Sequence, residues 1–103
     1  MAATASVIQD QLTGSGTVDT LYTASVTNKA GVSVMFINLT GDDTTLTVYV
    51  NGDAEADQIT DAMTLVAGDQ TTISGILGDG DDIRAASSSA DTPVNVILTA
   101  LED

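Results

Sequence analysis

The chain has 103 residues, enough for one domain but short for two independent cores, and it contains neither cysteine nor histidine. Thiolate and imidazole metal sites, Cys–His or Ser–His nucleophilic catalysis and disulfide cross-links are thereby excluded. Fifteen acidic residues against Lys29 and Arg84 give a net charge of −13, which repels phosphate backbones and anionic lipid, so no nucleic acid and no membrane is expected as a partner.

Thr, Val and Ile in alternating patterns dominate, whereas Glu, Lys, Arg and Gln, which usually furnish the solvent faces of helices, are scarce. The first strand-like run covers 5–12 and holds Val7, Ile8 and Leu12; Gly14-Ser15-Gly16 separates it from a second run at 17–24. That punctuation divides the chain into an N-terminal strand or arm, 1–12, and a single β-sandwich domain, 13–103. An arm of this kind can add a strand to the sheet edge of a neighbouring subunit. The N-terminal residues Met1 to Ile8 show neither the basic n-region nor the apolar h-region of a secretory signal, which points to synthesis in a cytoplasm.

The third run, 32–39, is apolar on both faces, with Val34 and Phe36 on one side and Met35 and Ile37 on the other. Its outer face is covered either by a loop or by another subunit, and the second case makes Met35 and Ile37 candidate interface residues. Gly41-Asp42-Asp43 leads into 44–51, where Leu46, Val48 and Val50 alternate with Thr45, Thr47 and Tyr49, and Asn51-Gly52 then supplies a turn. Residues 54–62 are long enough for one helical turn only. Further runs follow at 63–66, 70–76, 81–87 and 93–101, the last again apolar on both faces, with turns at Ala67-Gly68-Asp69 and Gly78-Asp79-Gly80. The segments 65–73 and 77–83 echo each other as apolar residue, Gly-Asp turn and strand, and read as consecutive strands of a meander.

Seven to eight short strands at this spacing predict an all-β fold, an antiparallel β-sandwich of jelly-roll or Ig-like type. Its predicted core is Val34, Phe36, Leu46, Val48, Val50, Ile73, Ile83, Val96 and Leu98.

Gly78-Asp79-Gly80-Asp81-Asp82-Ile83 looks like one copy of a calcium-binding nonapeptide, with Asp79, Asp81 and Asp82 as candidate oxygen ligands. It lacks the bidentate Glu of an EF-hand loop and the repetition of a β-roll, so a solvated acidic turn with no metal or other cofactor is the expected reading. The pairs Asp42-Asp43 and Asp81-Asp82 have the chemistry of glycosidase carboxylates, but neighbours on a strand point to opposite faces and do not converge on one bond. No enzyme activity is expected. Asn38-Leu39-Thr40 matches a glycosylation sequon by chance. Arg84 is expected to pair with a nearby Asp at about 0–1 kcal/mol, or to anchor an interface between subunits.

Leu21-Tyr22-Thr23, Gly31, Phe36-Ile37-Asn38, Val48-Tyr49-Val50-Asn51, Leu65-Val66-Ala67-Gly68-Asp69 and Gly80-Asp81-Asp82-Ile83-Arg84-Ala85 form a pattern of strand and turn punctuation. This pattern, over residues 21–98, resembles small virion accessory proteins of tailed bacteriophages, which include capsid decoration or cement proteins and tail- or fibre-associated β-sandwich proteins. A Pro-Gly turn expected soon after Leu-Tyr-Thr is replaced here by the segment Ala24 to Gly31. The resemblance implies a non-enzymatic structural protein located in the virion, a head decoration protein stabilising the capsid shell or else a tail, neck or fibre component. It also implies partners: the major capsid protein or another virion protein, and further copies of the chain itself, as a homotrimer. A calcium- or carbohydrate-binding β-sandwich module is the alternative from a different class.

Overall fold

The computed structural model describes residues 4–25, 29–52, 55–59, 63–88 and 94–102. Strands form wherever the alternation is clean: β1 (Thr4–Gln11), β2 (Asp19–Thr23), β3 (Ala30–Asn38), β4 (Thr44–Val50), β5 (Met63–Leu65), β6 (Gln70–Leu77), β7 (Asp82–Ser87) and β8 (Val94–Glu102). Within 54–62 the described helical structure is a single 3-10 turn, Glu55–Asp57, while residues 54 and 60–62 lie outside the described residues.

Two four-stranded sheets result, in the orders β1-β8-β3-β6 and β2-β7-β4-β5, with every pairing antiparallel. β1 pairs with β8, β2 with β7, β3 with β6 and β4 with β5, so the chain behaves as one long hairpin rolled over on itself. The β3·β8 and β4·β7 pairings then complete the sheets. This is jelly-roll wiring, and it decides against the Ig-like alternative.

The meander expected from the echoing segments does not form. β5 and β7 belong to one sheet and β6 to the other. The tight turns 66–69 and 78–81, each closed by an i to i+3 backbone hydrogen bond and each with a glycine at positive φ, carry the chain across the sandwich instead of back along the same sheet.

Inner faces of both sheets meet in one core. Val34, Phe36, Leu46, Val48, Ile83, Val96 and Leu98 are buried as predicted, and Val50 and Ile73 pack half-buried at its margin. Cross-strand neighbours lock it: Val34 lies opposite Leu98 and Phe36 opposite Val96. Phe36 is the single phenylalanine, and the small residues Ala30, Ala85 and Ala100 belong to the same core.

Residues 4–11 of the N-terminal segment form the edge strand of the chain's own first sheet, in continuous register with β8 from Thr4 opposite Glu102 to Gln11 opposite Asn95; residues 1–3 lie outside the described residues. At the following bend Gly14, Ser15 and Gly16 have φ of 86°, 54° and 79°, three successive left-handed residues that explain the two glycines.

Candidate functional site

Alternation assigns every second residue of β1, β8, β3 and β6 to the solvent side of the first sheet. Strand register then sets these residues in cross-strand rows: Ala5–Leu101–Gly31–Ile76, Val7–Thr99–Ser33–Ser74, Gln9–Ile97–Met35–Thr72 and Gln11–Asn95–Ile37–Gln70. Not one of them is Asp, Glu, Lys or Arg, in a chain whose net charge is −13. Large apolar side chains stand exposed on this face, Ile76 at 80%, Val7 at 66% and Leu101 at 53% of full accessibility. Gly31, with no side chain between Leu101 and Ile76, leaves an open depression of about 540 Å³ lined also by Ser33, Ser74 and Thr99.

Met35 and Ile37 are central to this face and half-buried. Arg84 belongs to the other sheet, on the outer side of β7 opposite Thr20 and Tyr49, so the three predicted interface residues do not make one patch. Its guanidinium forms a bidentate pair with Asp82, Nε to Oδ1 at 3.1 Å and Nη2 to Oδ2 at 2.9 Å.

The acidic turn holds itself together. Asp81 accepts from the Gly78 backbone N–H at 3.0 Å and from the Asn51 amide at 2.8 Å, and Asp82 accepts from the Asn51 backbone N–H at 3.0 Å. The carboxylate oxygens of Asp81 and Asp82 thus clip the start of β7 to the end of β4, where Asn51 has a φ of 63°. Asp79 is exposed at the tip. Among the described residues no three acidic side chains are grouped as a metal ion would require. In the other acidic pair, Asp43 accepts from the Ala67 backbone N–H at 3.1 Å, while Asp42 accepts through its main-chain oxygen from Asn38 and Thr40.

Two structural groups escaped the sequence reading. Asn38 is fully buried, donating from Nδ2 to the main-chain oxygens of Asp42 and Leu65, each at 2.9 Å, while its Oδ1 accepts from the Thr40 N–H. The sequon is therefore a hydrogen-bonded turn; an Asn that ends an apolar run before Thr-Gly-Asp was the signal for it. The Tyr22 hydroxyl donates to the Glu102 carboxylate, whose other oxygen accepts from the Ser25 N–H at 3.0 Å. Burial, with help from Glu102, pushes the Tyr22 phenol up to about 12, and the Tyr22 hydrogen bond, then that of Ser25, holds the Glu102 carboxyl below its ordinary value. No local signal marks this pair, which is 80 positions apart.

Between the sheets beside β6 an apolar cleft of about 170 Å³ is lined by Val32, Val50, Ile59, Ile73, Leu77 and Ile83. It is smaller than the roughly 300–1,000 Å³ of ordinary small-molecule pockets. Of the three aromatic residues, Phe36 is buried and Tyr22 is engaged with Glu102, which leaves Tyr49 alone on an outer face. One ring is a poor platform for sugar stacking.

No protein-family model matches the chain, and no curated protein matches it. Among solved structures it is similar to a protein of the Bacillus endospore appendages, which form disulfide-linked pili, with a TM-score of 0.59, 12% identity, and 98% of this chain and 87% of that one covered. It overlaps more loosely, at a TM-score of 0.48 in each case, with two others. One is a family 35 carbohydrate-binding module from Clostridium thermocellum, at 17% identity over 95% of this chain and 90% of that one. The other is a chain of the infectious bursal disease virus Gt strain, at 12% identity over 97% of this chain and 31% of that one. At these identities the likeness is one of fold. Among the described residues no helix is long and apolar enough to cross a membrane.

Proposed function

We propose that the chain is a non-enzymatic structural protein of a virus particle, a head decoration protein that stabilises the shell by bridging neighbouring capsomers. Its partners are the major capsid protein or another virion protein, together with further copies of itself. The observation that carries this reading is the uncharged face of the first sheet: a broad, partly apolar surface on an otherwise acidic protein suits contact with protein and little else. The resemblance of its strand and turn punctuation to virion accessory proteins of tailed bacteriophages supports the particle and implies a trimer. With no cysteine in the chain, it forms no disulfide links, unlike the disulfide-linked Bacillus pili that share its fold.

Quantitative mass spectrometry of purified particles tests this. Hundreds of copies per particle are expected for a head protein. A few dozen or fewer move the chain to the tail, neck or fibre, and absence from particles overturns the proposal.

A further inference from the structure

We infer that the uncharged face of the β1-β8-β3-β6 sheet is where a second copy of this chain docks, face to face about a two-fold axis. The inference rests on the structural-protein reading above and names the partner of that surface.

Charge selects the occupant. Two molecules of net charge −13 repel, and most strongly in orientations that bring their acidic turns within a Debye length, about 8 Å at physiological salt. Those turns, carrying Asp42 and Asp43, Asp69, and Asp79, lie at strand ends outside the four rows. A basic partner would bind the acidic turns and gain nothing from a face without charge. An equally uncharged surface fits that face, and every further copy of the chain supplies one.

Shape agrees with charge. Gly31 has no positive φ to justify a glycine, and a Cβ built there would meet nothing within 4 Å, so the chain's own fold does not require it. What its missing side chain creates is the depression between Leu101 and Ile76. In a two-fold pairing of the whole face, with the axis along the strands between β8 and β3, Leu101 of each copy, exposed at 53%, enters the depression of the other, and Ile76, exposed at 80%, meets Ala5. Four strands about 4.8 Å apart and eight residues long at about 3.3 Å each give a face of about 500 Å², or about 1,000 Å² for the pair. That reaches the lower limit for a specific interface, about 1,000 Å². Because the same patch meets itself, the contact closes at two copies; the trimer implied by the phage resemblance would need a different surface.

Sedimentation equilibrium of the 103-residue chain up to about 1 mM, the concentration at which even a 4 kcal/mol interaction half-populates, tests the pairing. A dimer is expected for the wild type, tightening as salt rises because screening removes repulsion and leaves apolar contact intact. Gly31→Val, which the strand accommodates and which fills the depression, is expected to weaken dimerisation at least about tenfold, a change of about 1.4 kcal/mol. Ile76→Asp is expected to weaken it at least as much, whereas Thr45→Asp, with the same added charge on the other sheet, changes it little. Circular dichroism confirms that each variant keeps its strands. A monomer at about 1 mM, a stoichiometry other than two, or a dimer indifferent to both Gly31→Val and Ile76→Asp overturns the inference. A dimeric chain absent from particles would overturn the virion reading and leave the pairing standing; a monomeric chain abundant in particles would do the reverse.

Discussion

The side-chain amide of Asn38 donates to the main-chain oxygen of Leu65 at 2.9 Å, tying the last residue of β3 in one sheet to the last residue of β5 in the other. Its second proton goes to Asp42 and its oxygen to Thr40, so one buried side chain organises the whole β3–β4 connection. Truncation strands the Leu65 oxygen in a dry site, and an unsatisfied buried carbonyl costs about 1–3 kcal/mol. Asn38→Ala is accordingly expected to lower the stability by about 2–4 kcal/mol, counting the lost bonds to Asp42 and Thr40. Urea unfolding checks it, and a loss under about 1 kcal/mol would show that water replaces the amide.

Tyr22 and Glu102 predict a response at both ends of the pH scale. Glu102 titrates lower in the folded chain than unfolded, so its contribution is present above the ordinary carboxylate pKa and lost as pH falls through the lowered folded value. Tyr22 titrates higher when folded, so its contribution is present below 10.0 and lost as pH rises from there through about 12. Tyr22→Phe removes the shared hydrogen bond. Its melting temperature is expected to vary less steeply with pH than the wild type's, below the carboxylate range and above pH 10.0 alike. Identical slopes in the two proteins would contradict the assignment.

Metal removal is expected to change little. The oxygens of Asp81 and Asp82 are engaged by Gly78, Asn51 and Arg84, which holds the turn without an ion. Chelator should leave the melting temperature nearly unchanged. A modest rise with millimolar calcium is compatible with screening of the −13 charge. A fall of more than about 10 °C on chelation, worth over 1 kcal/mol in a domain of this length, would reveal a structural site.

Phe36 is fully buried between the sheets opposite Val96. Phe36→Ala is expected to cost about 3–5 kcal/mol out of a total of roughly 5–15, among the largest effects of any single change. Chemical denaturation reads this directly, and a cost near 1 kcal/mol would mean that the surrounding core collapses into the gap.

Strand positions and the central core were legible because alternation is local: Leu46, Val48 and Val50 against Thr45, Thr47 and Tyr49 declare β4 without reference to the rest of the chain. Pairing was not. The segments around Ile73 and Ile83 look alike in sequence but enter opposite sheets, a choice made by which face of the growing sandwich each turn crosses. Met35 and Ile37 stood out because β3 is apolar on both sides, whereas Val7, Ile76 and Leu101 look like ordinary strand residues until register sets their strands side by side. Arg84 drew notice as one of only two basic residues, but its partner is Asp82, two positions away in its own strand. Asn38 and the Tyr22–Glu102 pair were hidden for another reason: their partners are fixed by tertiary closure and not by neighbours in sequence.

The central claim is that this protein acts through the uncharged face of its first sheet, and a cryo-EM map of the native particle tests it most directly. The account predicts that in every copy the rows running from Ala5 to Ile76 and from Gln9 to Thr72 are covered, with Leu101 of one copy seated over Gly31 of another. Copies attached through the second sheet around Arg84 and Tyr49, with Val7, Ile76 and Leu101 bare to solvent, would contradict it.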